Sequence, residues 1–187
     1  MNEAIAKALA EHASLLAAVE AMAPEIERAA MCIADRLRGG QTVYWCGNGG
    51  SAADAQHFAA ELIGRFERER RAMPSVALTA DTSVLTSIGN DYGFADVFRR
   101  QVEGLVRSGD ILVGISTSGT SANVLRAVEQ ARTQGGTVIG LLGRDGGTIA
   151  PLCDIALVVP GSSTARIQEM HALVGHLLCD LVEAQFS

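Results

Sequence analysis

The sequence predicts an α/β fold: a five-stranded parallel sheet flanked by helices, with two further helices ahead of it. Three observations carry this. Short β-branched runs recur near residues 42–46, 75–79, 111–116, 137–142 and 155–160. Segments of helical periodicity separate them, and such crossovers join parallel strands. Runs such as ILVGI and TVIGLL are almost wholly apolar, as strands buried on both faces must be.

Taken in order, residues 2–22 and 24–38 read as Ala- and Leu-rich helices, with Pro24 suited to the first turn of the second and Gly39 and Gly40 ending it. The first helix carries Ile5, Leu9, Leu15, Leu16 and Val19 at helical spacing. That face covers this chain's own sheet or packs on another copy, and the second possibility predicts an oligomer. The first strand then exits into GNGGS, the second into TADTS, the third into STSGTSAN and the fourth into GRDGG. Ligands of open parallel sheets gather outside these carboxyl ends. With 187 residues, 48% apolar and 19% charged, one domain over 1–187 is expected: helices over 1–38, then the α/β core and C-terminal helix over 39–187.

The net charge of minus 6 argues against a nucleic-acid-binding role. The cluster Arg65, Arg68, Arg70 and Arg71 alternates with Glu67 and Glu69 and reads as a solvated helix end, from which Arg65 alone could reach a ligand. Cys32, Cys46, Cys153 and Cys179 show no CxxC spacing and lie in apolar segments. Buried reduced thiols, and hence a cytoplasmic location, are expected. Neither a signal sequence nor a run long enough to span a bilayer is recognisable, so no membrane partner is expected.

The chemistry concentrates in residues 46–61, CGNGGSAADAQHFAAE. Gly47, Gly49 and Gly50 permit a sharp turn, Ser51 is placed to cap a helix starting near Ala52, and free amides at a helix start attract anions. His57 and Glu61 are one turn apart on one helix face, about 6 Å along the axis. The glycines also satisfy a G-x-G-x-x-A dinucleotide pattern, for which Asp81 is a candidate ribose-binding acid. That reading leaves Ser116, Thr117, Ser118, Thr120 and Ser121 unused. Five hydroxyls around Gly119 just before a helix suit a phosphate monoester better than a simple cap. No Lys of the nucleotide-triphosphate loop is present, so a sugar phosphate is the simpler guest. In the last helix, Gln168, His171 and His176 interrupt a largely apolar element.

Together, CGNGGSAADAQHFAAELIGRF, SIGNDYGF, ISTSGTSAN and RIQEMHALVGH resemble the sugar isomerase (SIS) domain family, and within it the phosphoheptose isomerases, over nearly the whole chain. The resemblance implies interconversion of sedoheptulose 7-phosphate and D-glycero-D-manno-heptose 7-phosphate, the first step of heptose supply for glycans such as lipopolysaccharide. It implies a homotetramer with sites between subunits, and one zinc per subunit held by His57, Glu61, Gln168 and His176. Glu61 and His176 would be the acid/base pair. Substrate contacts would fall on Asn48, Gly49, Gly50, Ser51, Glu61, Arg65, Asn90, Asp91, Ser116, Thr117, Ser118, Ser121 and Gln168. Thr120 departs from the Asn or Lys of many relatives. A related SIS tetramer that binds the bacterial replication initiator shares the RFExER and RIQEMH stretches but lacks equivalents of Glu61 and His176. A non-catalytic module binding a sugar phosphate or that initiator is therefore the alternative.

Spacing adds one constraint. Gln168 and His176 are eight residues apart, about 12 Å along a regular helix. Both can serve one site only if the helix start is irregular or a neighbouring subunit supplies one of them.

Overall fold

The computed structural model describes residues 2–186; the two end residues of the expected domain, 1 and 187, lie outside them. Helices α1 (Glu3–Ala21) and α2 (Ala23–Arg38) precede β1 (Val43–Cys46), α3 (Gly50–Ile63), β2 (Ser75–Ala77), α4 (Thr82–Asp91), α5 (Arg99–Leu105), β3 (Ile111–Ser116), α6 (Ala122–Thr133), β4 (Thr137–Gly143), β5 (Ile155–Val159) and α7 (Thr164–Glu183). All strand pairs are parallel, in the order β2-β1-β3-β4-β5.

The strand residues alternate between two cores. Trp45, Val113, Ile139 and Leu157 face α2, α3 and α7; Tyr44, Leu112 and Val138 face α5 and α6. Both faces of β3 are buried, which is why its run is uninterruptedly apolar. From β1 the chain moves one way to β2 and then returns to place β3 on the other side. That reversal opens a crevice between the loops after β1 and β3, the usual ligand position in such sheets.

The first helix divides its apolar face. Leu15 and Val19 are buried against the chain's own core, worth about 1.5–3 kcal/mol each when fully buried. His12 Nδ1 lies 2.7 Å from Glu169 Oε2 on α7. Ile5, Leu9 and Leu16 remain 54%, 58% and 43% exposed.

Several local expectations are corrected. Ser51 is not a cap: α3 begins at Gly50, and the turn into it is made by Gly49 at φ 56° with no side-chain cap bond. Ser121, by contrast, precedes α6 without a side-chain cap bond, in keeping with a hydroxyl loop read as more than a cap. The Arg cluster is not simply a solvated helix end, because the Arg70 side chain is 1% exposed and paired with Glu183. All four cysteines are free thiols, but only Cys46 and Cys179 are buried; Cys32 and Cys153 are half-buried.

His171 is a core residue. Its Nε2–H donates to Leu142 O at 3.0 Å, its Nδ1 is buried without a partner, and burial pushes its pKa down to about 4. The unfolded chain therefore binds the proton more readily. The neutral ring's contribution is complete above the ordinary value near 6.5 and is lost as pH falls from there toward 4. The shift corresponds to about 3 kcal/mol. Urea denaturation at pH 7 and pH 4.5 should show His171→Leu losing less stability across this window than the wild type.

Candidate active site

The crevice is built from two loops tied together. Asn48, after β1, and Asn123, in the first turn of α6, exchange reciprocal amide hydrogen bonds, each 2.8 Å. Both amides are satisfied by this clasp, which fixes the distance between the glycine turn and the hydroxyl loop. Sequence reasoning missed Asn123; the only signal was an Asn following a serine-rich loop. In the hydroxyl loop, Ser116 Oγ lies 2.9 Å from Ser121 Oγ and 3.4 Å from Ser118 Oγ, and Thr120 N and Oγ1 both donate to Ser118 Oγ. The hydroxyls thus converge with no counter-charge among their bonds. Behind them, the main chain of Gly119 packs against that of Gly146 and Gly147, and Ile149 N–H donates to Gly119 O at 3.1 Å. Arg144, in the same supporting turn, is the one non-glycine residue with positive φ among the described residues.

A cleft of about 380 Å³ runs from this crevice to the start of α7, lined by Asn48, Gly50, Ser51, Thr117, Thr164 and Gln168. A larger groove of about 710 Å³ flanks the edge strand β2 and is lined by Val76, Val84, Ile88, Tyr92 and Leu105, with none of the hydroxyl loop or the histidines.

Helices α3 and α7 lie side by side in the same direction, as their contacts show in sequence. Gln168 meets Asp54, His176 meets His57, and Glu183 meets the main chain of 66–68. Gly175 permits the approach, since a Cβ there would fall 2.0 Å from the Phe58 ring. Gln168 Nε2 donates to both oxygens of Asp54, at 2.8 and 2.9 Å. Burial raises the Asp54 carboxyl above its ordinary range, against the Gln168 hydrogen bond and the nearby His57 and His176. Because a carboxylate only accepts, the Gln168 oxygen is turned away from Asp54.

Two turns further along, His57 Nε2 stands 2.9 Å from His176 Nε2 and 3.2 Å from Glu61 Oε1. Phe66 stacks on the His176 ring at 5.4 Å and 20°. The structure therefore brings His57 to both Glu61 and His176, while Gln168 bonds to Asp54 instead. Since α7 is regular from Thr164 to Glu183, an irregular start does not bring Gln168 to them. Among the described residues no group of three or more His, Cys, Asp or Glu side chains is disposed to hold a metal ion.

Of the other expected residues, Gly49 and Gly50 form the turn and the head of α3. Asn90 and Asp91 are exposed at the end of α4 and bond to each other at 2.8 Å. Arg65 is engaged with Glu69 at 3.1 Å. Asp81 caps α4 by accepting from Val84 N–H at 3.0 Å, so it is not free as a ribose-binding acid.

A parallel sheet with a glycine turn and a hydroxyl loop meeting at its switch point defines an open α/β protein with a ligand crevice, and the model of the SIS domain family matches residues 9–143. Phosphoheptose isomerases from a Nitratiruptor species and from Geobacter sulfurreducens are 56% and 59% identical to this chain. The first alignment covers all of both chains, and the second 87% of this chain and 86% of the relative. The solved phosphoheptose isomerase from Neisseria gonorrhoeae superposes with a TM-score of 0.92 at 48% identity, covering 97% of this chain and 98% of that one. The Francisella tularensis enzyme gives 0.90 at 39%, covering 98% and 96%. The chain belongs to the SIS domain family and, within it, to the phosphoheptose isomerases.

Proposed function

We propose that the chain is an aldose–ketose isomerase that converts sedoheptulose 7-phosphate to D-glycero-D-manno-heptose 7-phosphate through an enediol. The observation that carries this is the meeting of Glu61 and His176 across His57, on helices that also border the hydroxyl-lined crevice. The phosphate is held by Ser116, Thr117, Ser118 and Ser121 with the amides opening α6. Asn48, Gly49, Gly50 and Ser51 flank the sugar, and Gln168 presents its oxygen to the cleft. Arg65, Asn90 and Asp91 contact substrate from a neighbouring subunit's side or after rearrangement.

The carboxylate of Glu61 removes a proton from C1 of the ketose and returns one to C2. His176 moves the hydroxyl proton from O1 to O2, so the enediol collapses to the aldehyde. Incubation with sedoheptulose 7-phosphate, with aldose formation followed by NMR, tests the reading; no product from the wild type sinks it.

His57 Nε2 stands 2.9 Å from His176 Nε2 and 3.2 Å from Glu61 Oε1, and imidazole and carboxylate are donors of the kind zinc takes, although these two spacings are tighter than the roughly 3.3 Å between ligands of a tetrahedral ion. His57, Glu61 and His176 would hold it, with Gln168 from a second subunit as the fourth ligand, and it would polarise the substrate's oxygens. Metal analysis should find about one zinc per chain, lost in His57→Ala.

The separation of Gln168 from His176, about 12 Å along α7, supports a site completed by assembly. The open face of Ile5, Leu9 and Leu16 supports packing on further copies, here read as a homotetramer, and the four free thiols support a cytoplasmic location. Among the described residues no helix is long and apolar enough to cross a membrane. Leu9→Glu with Leu16→Glu should shift the protein to smaller species in sedimentation and lower turnover at least about tenfold. A monomer with full turnover contradicts this.

A further inference from the structure

Glu183 ends α7, and the chemistry proposed above leaves it unused although its side chain is 0% exposed. Its carboxylate accepts three consecutive backbone N–H groups, from Phe66 at 3.0 Å, Glu67 at 2.8 Å and Arg68 at 2.6 Å. Arg70 Nε stands 3.2 Å from Glu183 Oε1. Burial alone would raise the Glu183 carboxyl; the three N–H groups and Arg70 hold it below its ordinary range. The Arg70 guanidinium also closes the end of α3, donating to Glu61 O at 2.6 Å, Leu62 O at 2.9 Å and Gly64 O at 2.8 Å.

A buried ion pair is often no more stabilising than an apolar pair of the same shape, so what it fixes geometrically matters more than its strength. Here it fixes both halves of the acid/base pair. One arm grips the main chain of Glu61. The other folds 66–68 back along α7, which places Phe66 flat against the His176 ring, while Phe58 meets that ring edge-on at 6.1 Å and 84°. Held between the two phenyl rings, His176 presents Nε2 to His57 at 2.9 Å.

We propose that Glu183 is a positioning residue, which through Arg70 and the 66–68 main chain seats Phe66 on His176 and keeps Glu61 and His176 at the separation that proton transfer needs. The inference rests on the reading of those two residues as the acid/base pair. Three variants test it, each assayed with sedoheptulose 7-phosphate where circular dichroism shows it folded. Glu183→Gln keeps the shape but turns an amide N–H against the donors it should accept. Phe66→Leu removes the flat ring, and Phe66→Tyr keeps it.

The expected results are a kcat about 10- to 100-fold lower in Glu183→Gln and about 10-fold lower in Phe66→Leu, KM within about twofold in both, and Phe66→Tyr close to wild type. Wild-type kcat in either of the first two, a loss expressed in KM instead, or an equal loss in Phe66→Tyr overturns the proposal. Should Glu183→Gln not fold, the Phe66 pair decides. A wild type that forms no aldose rejects the isomerase reading and this role with it. Turnover in the wild type that both variants keep rejects the positioning role alone.

Discussion

Replacing Glu61 by Gln is expected to lower kcat by roughly 10²- to 10⁴-fold, the usual contribution of a positioned acid or base. The fold should survive. Glu61 is on the last turn of α3, its side chain is 20% exposed, and its ion-pair partner is His57, itself 51% exposed. A pair so open to solvent contributes at most about 1 kcal/mol. Glutamine retains the shape and the contact to the His57 ring, so the thermal midpoint should move by only a few degrees. Turnover and a melting curve on one preparation separate the two effects. Turnover within tenfold of the wild type would remove Glu61 from the chemistry.

The second large effect falls at the phosphate end. Gly119 has φ 68°, and a Cβ there would lie 2.3 Å from Gly146 C and 2.7 Å from Gly147 N. Both obstacles are main chain and cannot rotate away. Gly119→Ala should therefore separate the hydroxyl loop from the turn that supports it, adding backbone strain of about 1–3 kcal/mol. Ser118 and Ser121, on either side, would lose their convergence. Loss of one or two hydrogen bonds to a charged phosphate, about 1.5–3 kcal/mol each, predicts a rise in KM of at least about 10- to 100-fold. Since the histidines belong to the α3–α7 pair and not to the turn that Gly119 packs against, kcat at saturation should change much less. Steady-state kinetics read both; an unchanged KM would place the phosphate elsewhere.

What the sequence disclosed and what it concealed follow from range. The strands were legible because β1 and β3 are buried on both faces, which demands unbroken apolar runs. His57 and Glu61 were legible because helical spacing alone puts them on one face, and the structure sets them 3.2 Å apart. The distance between Gln168 and His176 was legible for the same reason, and α7 is the regular helix it presumed. Contacts between remote segments left no local trace. Arg70 reads as one charge in an alternating run until Glu183, far along the chain, is found against it. The Asn48–Asn123 clasp joins two loops that only the sheet order brings together. His171 and His176 look alike in sequence, yet one turns to Leu142 O in the core and the other to His57. Ser51 misled because a capping residue type stood beside a glycine that makes the turn itself.

In the proposed mechanism Glu61 carries a proton between C1 and C2 of a bound sugar phosphate. Its most direct test is the reaction of sedoheptulose 7-phosphate in D2O, followed by NMR with the wild type and Glu61→Gln side by side. The expected result is aldose formation with solvent deuterium entering at C2 in the wild type, and both processes at least about 100-fold slower in the folded variant. Absence of both in the wild type, or exchange at the wild-type rate in Glu61→Gln, would contradict it.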